Sequence, residues 1–182
     1  MLKYVIFNKP FEVLCQFTDE LGRKTLKNYI KIPGIYSVGR LDYDSEGLLL
    51  LTNDTAMNHR ISNPKNKVEK TYWAQVEGIP TKEQLAQLSA GILIEGYKTM
   101  PARVKTIEEP KLWERSKPIR FRKNIPTSWI ELTIREGKNR QVRKMTAAVG
   151  LPCLRLVRVA IGPLKLEGLP LGKYKEIIKP VI

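Results

Sequence analysis

The chain has 182 residues, of which 42% are hydrophobic, and its formal net charge is +14. One catalytic-sized domain over 1–182 fits this length, and no apolar stretch reaches the roughly 20 residues that cross a bilayer, so we expect a cytoplasmic protein without a membrane partner. Because such a charge is unusual in an enzyme of small metabolites, it predicts a polyanionic partner, with nucleic acid as the leading candidate.

Short strands and turns are predicted in the first third of the chain. The apolar run KYVIFNKP predicts a strand that ends at Pro10, and EVLCQF predicts a second extended piece. The following segments are predicted in order: a turn over 19–22, a helix over 25–30, extended segments over 35–38 and 47–52, and a helix from Asn53 or Asp54 to Ser62.

Strands also outnumber helices in the rest of the chain. Prolines at 110, 118 and 126 predict a long irregular segment, and such loops are often functional. The other predicted segments are, in order, a strand over 68–77, a helix from Thr81 to Ala90, a strand pair at 92–94 and 102–107, a strand over 129–135, a helix from Asn139 to Val149, and strands over 154–161 and 173–178. The absence of a βαβ rhythm predicts an α+β fold with a largely antiparallel or mixed sheet.

Cysteine and histidine are scarce in this sequence. Cys15 and Cys153 show no CxxC spacing, and His59 is the single histidine. The sequence therefore predicts neither a disulfide framework nor a metal site. We expect both cysteines to be buried or half-buried thiols and His59 to be a surface or packing residue of a helix.

One acidic side chain, Asp42, stands in a polar turn directly before an apolar run. It belongs to the segment VGRLDYDSEGLLLLTND, residues 38–54. Gly39 can adopt a positive φ or allow a close backbone approach, and Arg40 adds a cation. Leu48–Leu51 predict a buried strand, so the turn is a charged tip on a rigid element, a common location for chemistry. By composition alone, a turn cap or an ion pair with Arg40 is the usual role of such an aspartate.

Positive charge is concentrated in residues 111–144, which hold eleven Lys and Arg against three Glu. Trp113, Phe121 and Trp129 are interspersed among these cations. Aromatic rings and guanidinium planes can both stack on unpaired bases, so the region predicts a nucleic-acid contact.

Two groups of cations in this region are candidate substrate-binding residues. Arg120 and Arg122 lie in the irregular segment. Arg140 and Lys144 are four residues apart on the predicted helix, and Arg143 lies three residues after Arg140, so the three form one cationic face. On charge alone, all five are phosphate contacts.

Three motifs occur in a fixed order. GRLDYDSEGLLLLTND contains Asp42, KTY ends at Tyr72, and EGKNRQVRKM contains Arg143. Together they resemble the pseudouridine synthases of the RsuA-like family, in which these positions match the catalytic aspartate, the active-site tyrosine and the basic residue that pairs with the aspartate. The likeness extends over nearly the whole chain, and it implies the catalytic fold of that family, with a central sheet flanked by helices and an active-site cleft. This likeness is greatest for the ribosomal large-subunit subgroup E, because of the segments FNKPFEVLCQFTDELGRKTL and IPTSW.

The resemblance implies an isomerase that detaches uracil from C1′ of a uridine, turns it and rejoins it through C5, without a cofactor. Asp42 would act near C1′, either by adding to C1′ or by removing the C2′ proton. Arg143 would keep the carboxylate ionised and oriented. Tyr72 would stack on the uracil and help to remove the C5 proton.

The resemblance also implies how the substrate is bound. The target base must leave its stack, and Arg40 would fill the vacated space. Leu166 matches a position that packs beneath the base, although a core leucine fits equally well. The expected partner is large-subunit (23S) ribosomal RNA, and a monomer is expected. Many family members carry a small RNA-binding domain before the catalytic one, whereas this chain begins with the first catalytic strand, so we expect salt-dependent affinity from the catalytic domain itself.

Two other functions are compatible with parts of the sequence. One is a non-catalytic protein that binds ribosomal RNA or assists ribosome assembly with the same fold. The other is a metal-dependent nuclease that uses Asp42, Asp44 and Glu46 as oxygen ligands.

Overall fold

A computed structural model describes residues 1–182 and divides them into two units. Unit 1 contains Met1–Val68 and Val157–Ile182, and unit 2 contains Glu69–Leu156. The chain forms three α-helices and eleven strands in this order: β1 Tyr4–Lys9, β2 Tyr36–Ser37, β3 Glu46–Thr52, α1 Thr55–Ser62, β4 Lys70–Glu77, α2 Lys82–Ala90, β5 Leu93–Ile94, β6 Tyr97–Lys98, β7 Arg103–Ile107, β8 Thr127–Ile134, α3 Gln141–Ala148, β9 Cys153–Ile161, β10 Leu164–Lys165 and β11 Tyr174–Ile177. Short 3-10 turns occur at Leu26–Asn28 and Pro64–Asn66.

Two fully buried strands form the centre of unit 1. Every residue of β1 and β3 is buried, as expected for continuous apolar runs that are covered on both faces. β1 pairs antiparallel with β3 and β11, and β2 pairs antiparallel with β3. From Val157 onward β9 runs parallel to β3, through the pairs Glu46–Val157 and Gly47–Arg158. The residues that follow the Asp42 turn are therefore rigidly held.

An antiparallel arrangement of three strands forms the centre of unit 2. β8 pairs with β4 over Lys70–Glu77 and with β7 over Arg103–Ile107. Alternate residues such as Ala74, Ile130 and Leu132 are fully buried. Their period of two is that of a strand with one face in the core. With helices beside this mixed set of strand pairs, the predicted α+β class is confirmed.

Several predicted elements are confirmed together with their caps. The Asp54 side chain accepts a hydrogen bond from the N–H of Met57 and so caps α1. Thr81 caps α2 and forms a capping box with Gln84. The segment between Ile107 and Thr127 contains no helix or strand, as its prolines predict. His59 lies on the exposed surface of α1.

Two local predictions are wrong. The strand at Leu93–Ile94 pairs with Tyr97–Lys98 and not with residues 102–107. Glu95 and Gly96 have φ values of 46° and 83°, which close a tight hairpin between these short strands. The third helix begins at Gln141 rather than at Asn139, because Arg140 takes a left-handed φ of 53°.

Candidate active site

Asp42 lies in a short turn between β2 and β3 of unit 1. The N–H of Ser45 donates to the carbonyl of Asp42 at 3.0 Å and closes the turn. The N–H of Glu12 donates to the carbonyl of Tyr43 at 2.8 Å, which ties the tip to the segment after β1. The Asp42 side chain is half-buried. It therefore stands at a fixed backbone position with partial access to solvent.

The approach to the turn is held as firmly as its tip. The N–H of Val38 donates to the carbonyl of Leu50 at 2.7 Å. The N–H of Leu41 donates to Sγ of Cys15 at 3.3 Å, and burial raises the pKa of this thiol. Cys15 thus has a structural role as a neutral acceptor beneath the turn. The prediction that both cysteines are buried or half-buried thiols is confirmed, since Cys15 is buried and Cys153 is half-buried.

Two glycines flank the turn for different physical reasons. Gly39 has a φ of 65°, and a Cβ there would meet nothing within 4 Å, so only its backbone conformation favours glycine. Gly47 has a φ of 103°, and a Cβ there would lie 2.3 Å from the carbonyl oxygen of Arg158. The parallel pairing of β3 with β9 therefore requires glycine at position 47.

A buried lysine, Lys9, lies next to the Asp42 turn and was not identified from the sequence. It is 0% exposed, and its ammonium donates to the carbonyls of Pro10 and Val13 at 2.9 Å each. Burial lowers its pKa to about 8. The nearby carboxylates of Glu46, Asp44 and Asp42 oppose this decrease by attraction. The sequence feature that could have identified this residue is a lysine at the end of an apolar strand, since a charge there needs nearby partners.

The other unit 1 candidates differ in exposure. Arg40 is exposed beside the turn, where its side chain can reach a ligand. Leu166 is buried, and its N–H donates to the carbonyl of Val159 at 2.9 Å. The contacts of Leu166 are those of a core residue, and its role beneath a base stays a prediction.

Tyr72 and Arg143 belong to unit 2. Tyr72 lies on β4 opposite Leu132 of β8 and is 8% exposed. Arg143 lies in the first turn of α3 and is half-buried. Arg140 precedes α3, and its carbonyl accepts the N–H of Lys144 at 3.0 Å. The predicted cationic face is therefore shorter than expected, because Arg140 is not itself helical.

The start of α3 is fixed by side chains of its own motif. Arg140 provides no side-chain cap. Instead, the Gln141 amide accepts the N–H of Lys138 at 3.0 Å and donates to Glu136 at 2.8 Å. The buried Glu136 also accepts the N–H of Met100 at 2.7 Å. The string EGKNRQ thus supports the helix that carries Arg143.

The remaining candidate cations pair with acids within unit 2. Lys144 donates to Glu95 at 2.7 Å. Arg120 and Arg122 both contact the Glu77 carboxylate, at 2.7 Å and 3.4 Å. Glu77 was not identified from the sequence, although it ends a predicted strand. We refer to residues 119–126, which contain both arginines, as the basic loop.

No group of three or more His, Cys, Asp or Glu side chains in the structure is arranged to hold a metal ion. Asp42, Asp44 and Glu46 therefore do not form the ligand set that a metal-dependent nuclease would need. No helix is both long enough and apolar enough to cross a membrane.

Comparison with known proteins identifies the family. Residues 3–148 match the RNA pseudouridylate synthase family. The chain belongs to this family. It is 52% identical over 178 residues to ribosomal large subunit pseudouridine synthase E of Vibrio vulnificus (strain CMCP6), and the match covers 98% of this chain and 76% of that protein. The protein of the same name from Xanthomonas axonopodis pv. citri (strain 306) is 52% identical over 168 residues, which cover 91% of this chain and 88% of that protein.

A solved pseudouridylate synthase also has the same fold. Its TM-score is 0.82 at 31% sequence identity, over 98% of this chain and 71% of that chain. The predicted family, its subgroup and the isomerase class are thereby confirmed. Asp42, Tyr72 and Arg143 of this pseudouridine synthase all lie within the matched range 3–148.

Proposed function

We propose that this pseudouridine synthase isomerises a specific uridine of large-subunit ribosomal RNA, with Asp42 as the reacting carboxylate. The main support is the geometry of the Asp42 turn, which is closed by Ser45, tied to Glu12 and adjacent to the buried ammonium of Lys9. A carboxylate held in this way needs little reorganisation before it reacts. The relatives named for the large subunit support the choice of RNA.

Two routes are chemically balanced for this carboxylate. In the first, an Asp42 oxygen attacks C1′ and uracil leaves with the N1–C1′ electron pair; after the ring turns, C5 attacks C1′ and the carboxylate departs. In the second, the carboxylate removes the C2′ proton, uracil leaves from C1′ to give a glycal, and the proton returns to C2′ when C5 rejoins C1′. In both routes, the C5 proton is then lost and N1 gains a proton, which restores the aromatic ring, so no cofactor is consumed.

The roles of Tyr72 and Arg143 in this proposal rest on motif resemblance. Tyr72 is the residue for stacking on uracil and assisting the final proton removal. Arg143 is the residue that orients the carboxylate through the planar fork of its guanidinium. Arg40 fills the space of the flipped base, and Leu166 packs beneath it. Arg120, Arg122, Arg140 and Lys144 contact phosphates.

The decisive experiment compares two neutralised carboxylates of the same turn. Asp42→Asn keeps the side-chain shape but removes the reacting charge, so pseudouridine formation is expected to fall by about 100-fold or more while RNA binding persists. Asp44→Asn is the matched control and is expected to retain activity within about tenfold of the wild type. The measurement is the pseudouridine content of ribosomal RNA from cells whose only copy is each variant.

Unchanged modification in the Asp42→Asn cells would remove Asp42 from the reaction. If deletion of the gene leaves every pseudouridine of the ribosomal RNA in place, the non-catalytic RNA-binding function is favoured instead. Mapping of the pseudouridine that disappears on deletion identifies the target uridine.

A further inference from the structure

The basic loop presents one aromatic ring to solvent. Of the three aromatics in the cationic region, Trp129 is 6% exposed and belongs to the core. Trp113 is half-buried, with the Arg155 guanidinium 5.8 Å from its ring centre. Phe121, in contrast, is 83% exposed. Phe121 is therefore the aromatic side chain in this region that offers a whole ring face to a new ligand.

Side chains hold the segment around Phe121 in place. The Arg115 guanidinium donates to the carbonyls of Pro118 at 3.0 Å and Leu154 at 3.3 Å. On either side of Phe121, Arg120 and Arg122 contact the Glu77 carboxylate, which is only 8% exposed. The exposed ring therefore belongs to a segment with defined contacts. Because this segment is already ordered, little of its conformational entropy would be lost when a ligand binds.

A groove of about 470 Å³ runs beside the ring. Its lining includes Ile119, Phe121, Ile125 and Pro126 together with the cations Arg120, Arg122 and Lys123. The side chains of Arg120 and Arg122 remain about half exposed despite their contacts with Glu77. Three cations and one buried acid surround an apolar ring face, a combination that suits an anionic ligand with a flat ring.

An unpaired nucleotide has both of these properties. Its base stacks on an aromatic face whatever the sequence, and its phosphate pairs with guanidinium or ammonium groups. We propose that the basic loop binds an unpaired nucleotide of the substrate RNA other than the reacting uridine, with its base on Phe121 and its flanking phosphates on Arg120, Arg122 and Lys123. The choice of RNA as the ligand rests on the proposed function. Because Tyr72 is assigned to the reacting uracil there, Phe121 takes a second base.

The test measures binding of two single-stranded RNA probes by the full chain at fixed salt. One probe is oligouridine, and the other is the same backbone with abasic sites in place of the bases. Phe121→Ala is expected to weaken oligouridine binding by about tenfold and to leave binding of the abasic strand unchanged, because only the stacked base is lost. Phe121→Tyr keeps the ring and is expected to bind like the wild type. Ile79→Ala is the control, since Ile79 is another exposed apolar residue of unit 2, at 72%.

Two outcomes overturn the proposal. If Phe121→Ala binds oligouridine as tightly as the wild type, the basic loop does not stack a base, and an acidic protein becomes the better partner. If Phe121→Ala weakens both probes equally, Phe121 supports the loop rather than a base. Binding can also be measured in an Asp42→Asn background, where no reaction is needed. If the wild type forms no pseudouridine but Phe121→Ala still weakens oligouridine binding, the proposed reaction is refuted and this binding site is supported.

Discussion

The Asp42 turn and the basic loop have opposite arrangements of charge. Next to the turn, one buried cation, Lys9 of β1, is close to acidic groups that include the half-buried Asp42. Next to the basic loop, one buried acid, Glu77 of β4, contacts two half-exposed arginines of the loop. In both regions a buried charge attracts more exposed charges of opposite sign. In the proposed function the more exposed groups have different roles: the Asp42 carboxylate reacts near C1′, and the arginines bind phosphates.

The two regions also differ in how closely the backbone is packed. The Asp42 turn leads into β3, whose residues are all buried, and Gly47 touches the backbone of β9. The basic loop contains no helix or strand, and the side chains of Arg120 and Arg122 connect it to Glu77. A reacting group tolerates little displacement, whereas phosphate contacts tolerate more. Substitutions in the two regions should therefore affect different measurements.

The largest expected effect comes from the close approach at Gly47. Gly47→Ala would place a Cβ 2.3 Å from the Arg158 carbonyl oxygen at a positive φ, so β3 and β9 must separate. We expect the free energy of unfolding to fall by about 3–5 kcal/mol. Gly39→Ala is the matched control: it has a similar φ restriction but open space, and should cost about 1 kcal/mol. Urea unfolding measures both, and equal losses would contradict the close approach.

The second prediction concerns Lys9 and pH. Because burial lowers its pKa from 10.5 to about 8, the folded protein releases this proton above pH 8 while the unfolded chain keeps it up to about pH 10.5. The unfolded state then binds more protons, so the Lys9 contribution to the free energy of unfolding rises with pH across that window, by up to about 3 kcal/mol. Below pH 8 the lysine is charged in both states and the contribution is flat.

The measurement is urea unfolding of the wild type and Lys9→Met across the same window. The free energy of unfolding of the wild type minus that of Lys9→Met should increase with pH, because methionine has no proton to release. Burial raises the pKa of Tyr97 to about 12, and its opposite trend above pH 10 cancels in this difference. Lys65→Met, at an exposed position of unit 1, is the control. Its difference from the wild type in free energy of unfolding should not change with pH. Parallel curves for wild type and Lys9→Met would show that Lys9 is not a desolvated cation.

The smallest effect is expected in the basic loop. Arg122→Gln removes one phosphate contact, so the slope of log affinity against log salt should become less negative by about 0.7 for single-stranded RNA. The rate of isomerisation on saturating RNA should not change. Lys82→Gln, which removes one exposed charge from α2, is the control and should leave the slope unaltered. A lower rate with an unchanged slope would place Arg122 in the chemistry and break the distinction between the two regions.

Local patterns were sufficient for much of the fold and for the family. The caps at Asp54 and Thr81, the apolar run of β3 and the irregular proline-rich segment each depend on neighbouring residues, and all are confirmed. The motif around Asp42 correctly predicts a turn between two strands. The wrong strand pair arose because the short hairpin of β5 and β6 depends on the positive φ of Glu95, a residue type that rarely adopts it.

The sequence by itself determined the family, the α+β class and the location of the candidate carboxylate, because motifs, periodicity and helix caps are short-range properties of the chain. Only the tertiary structure decided that Lys9 is buried beside Asp42, that Gly47 contacts the β9 backbone, and that Phe121 rather than Trp113 or Trp129 offers its ring to a ligand. The physical reason is that burial and the partners of a charge depend on segments far apart in the chain. A lysine, a glycine or an aromatic residue has the same local signature whether it is exposed or enclosed.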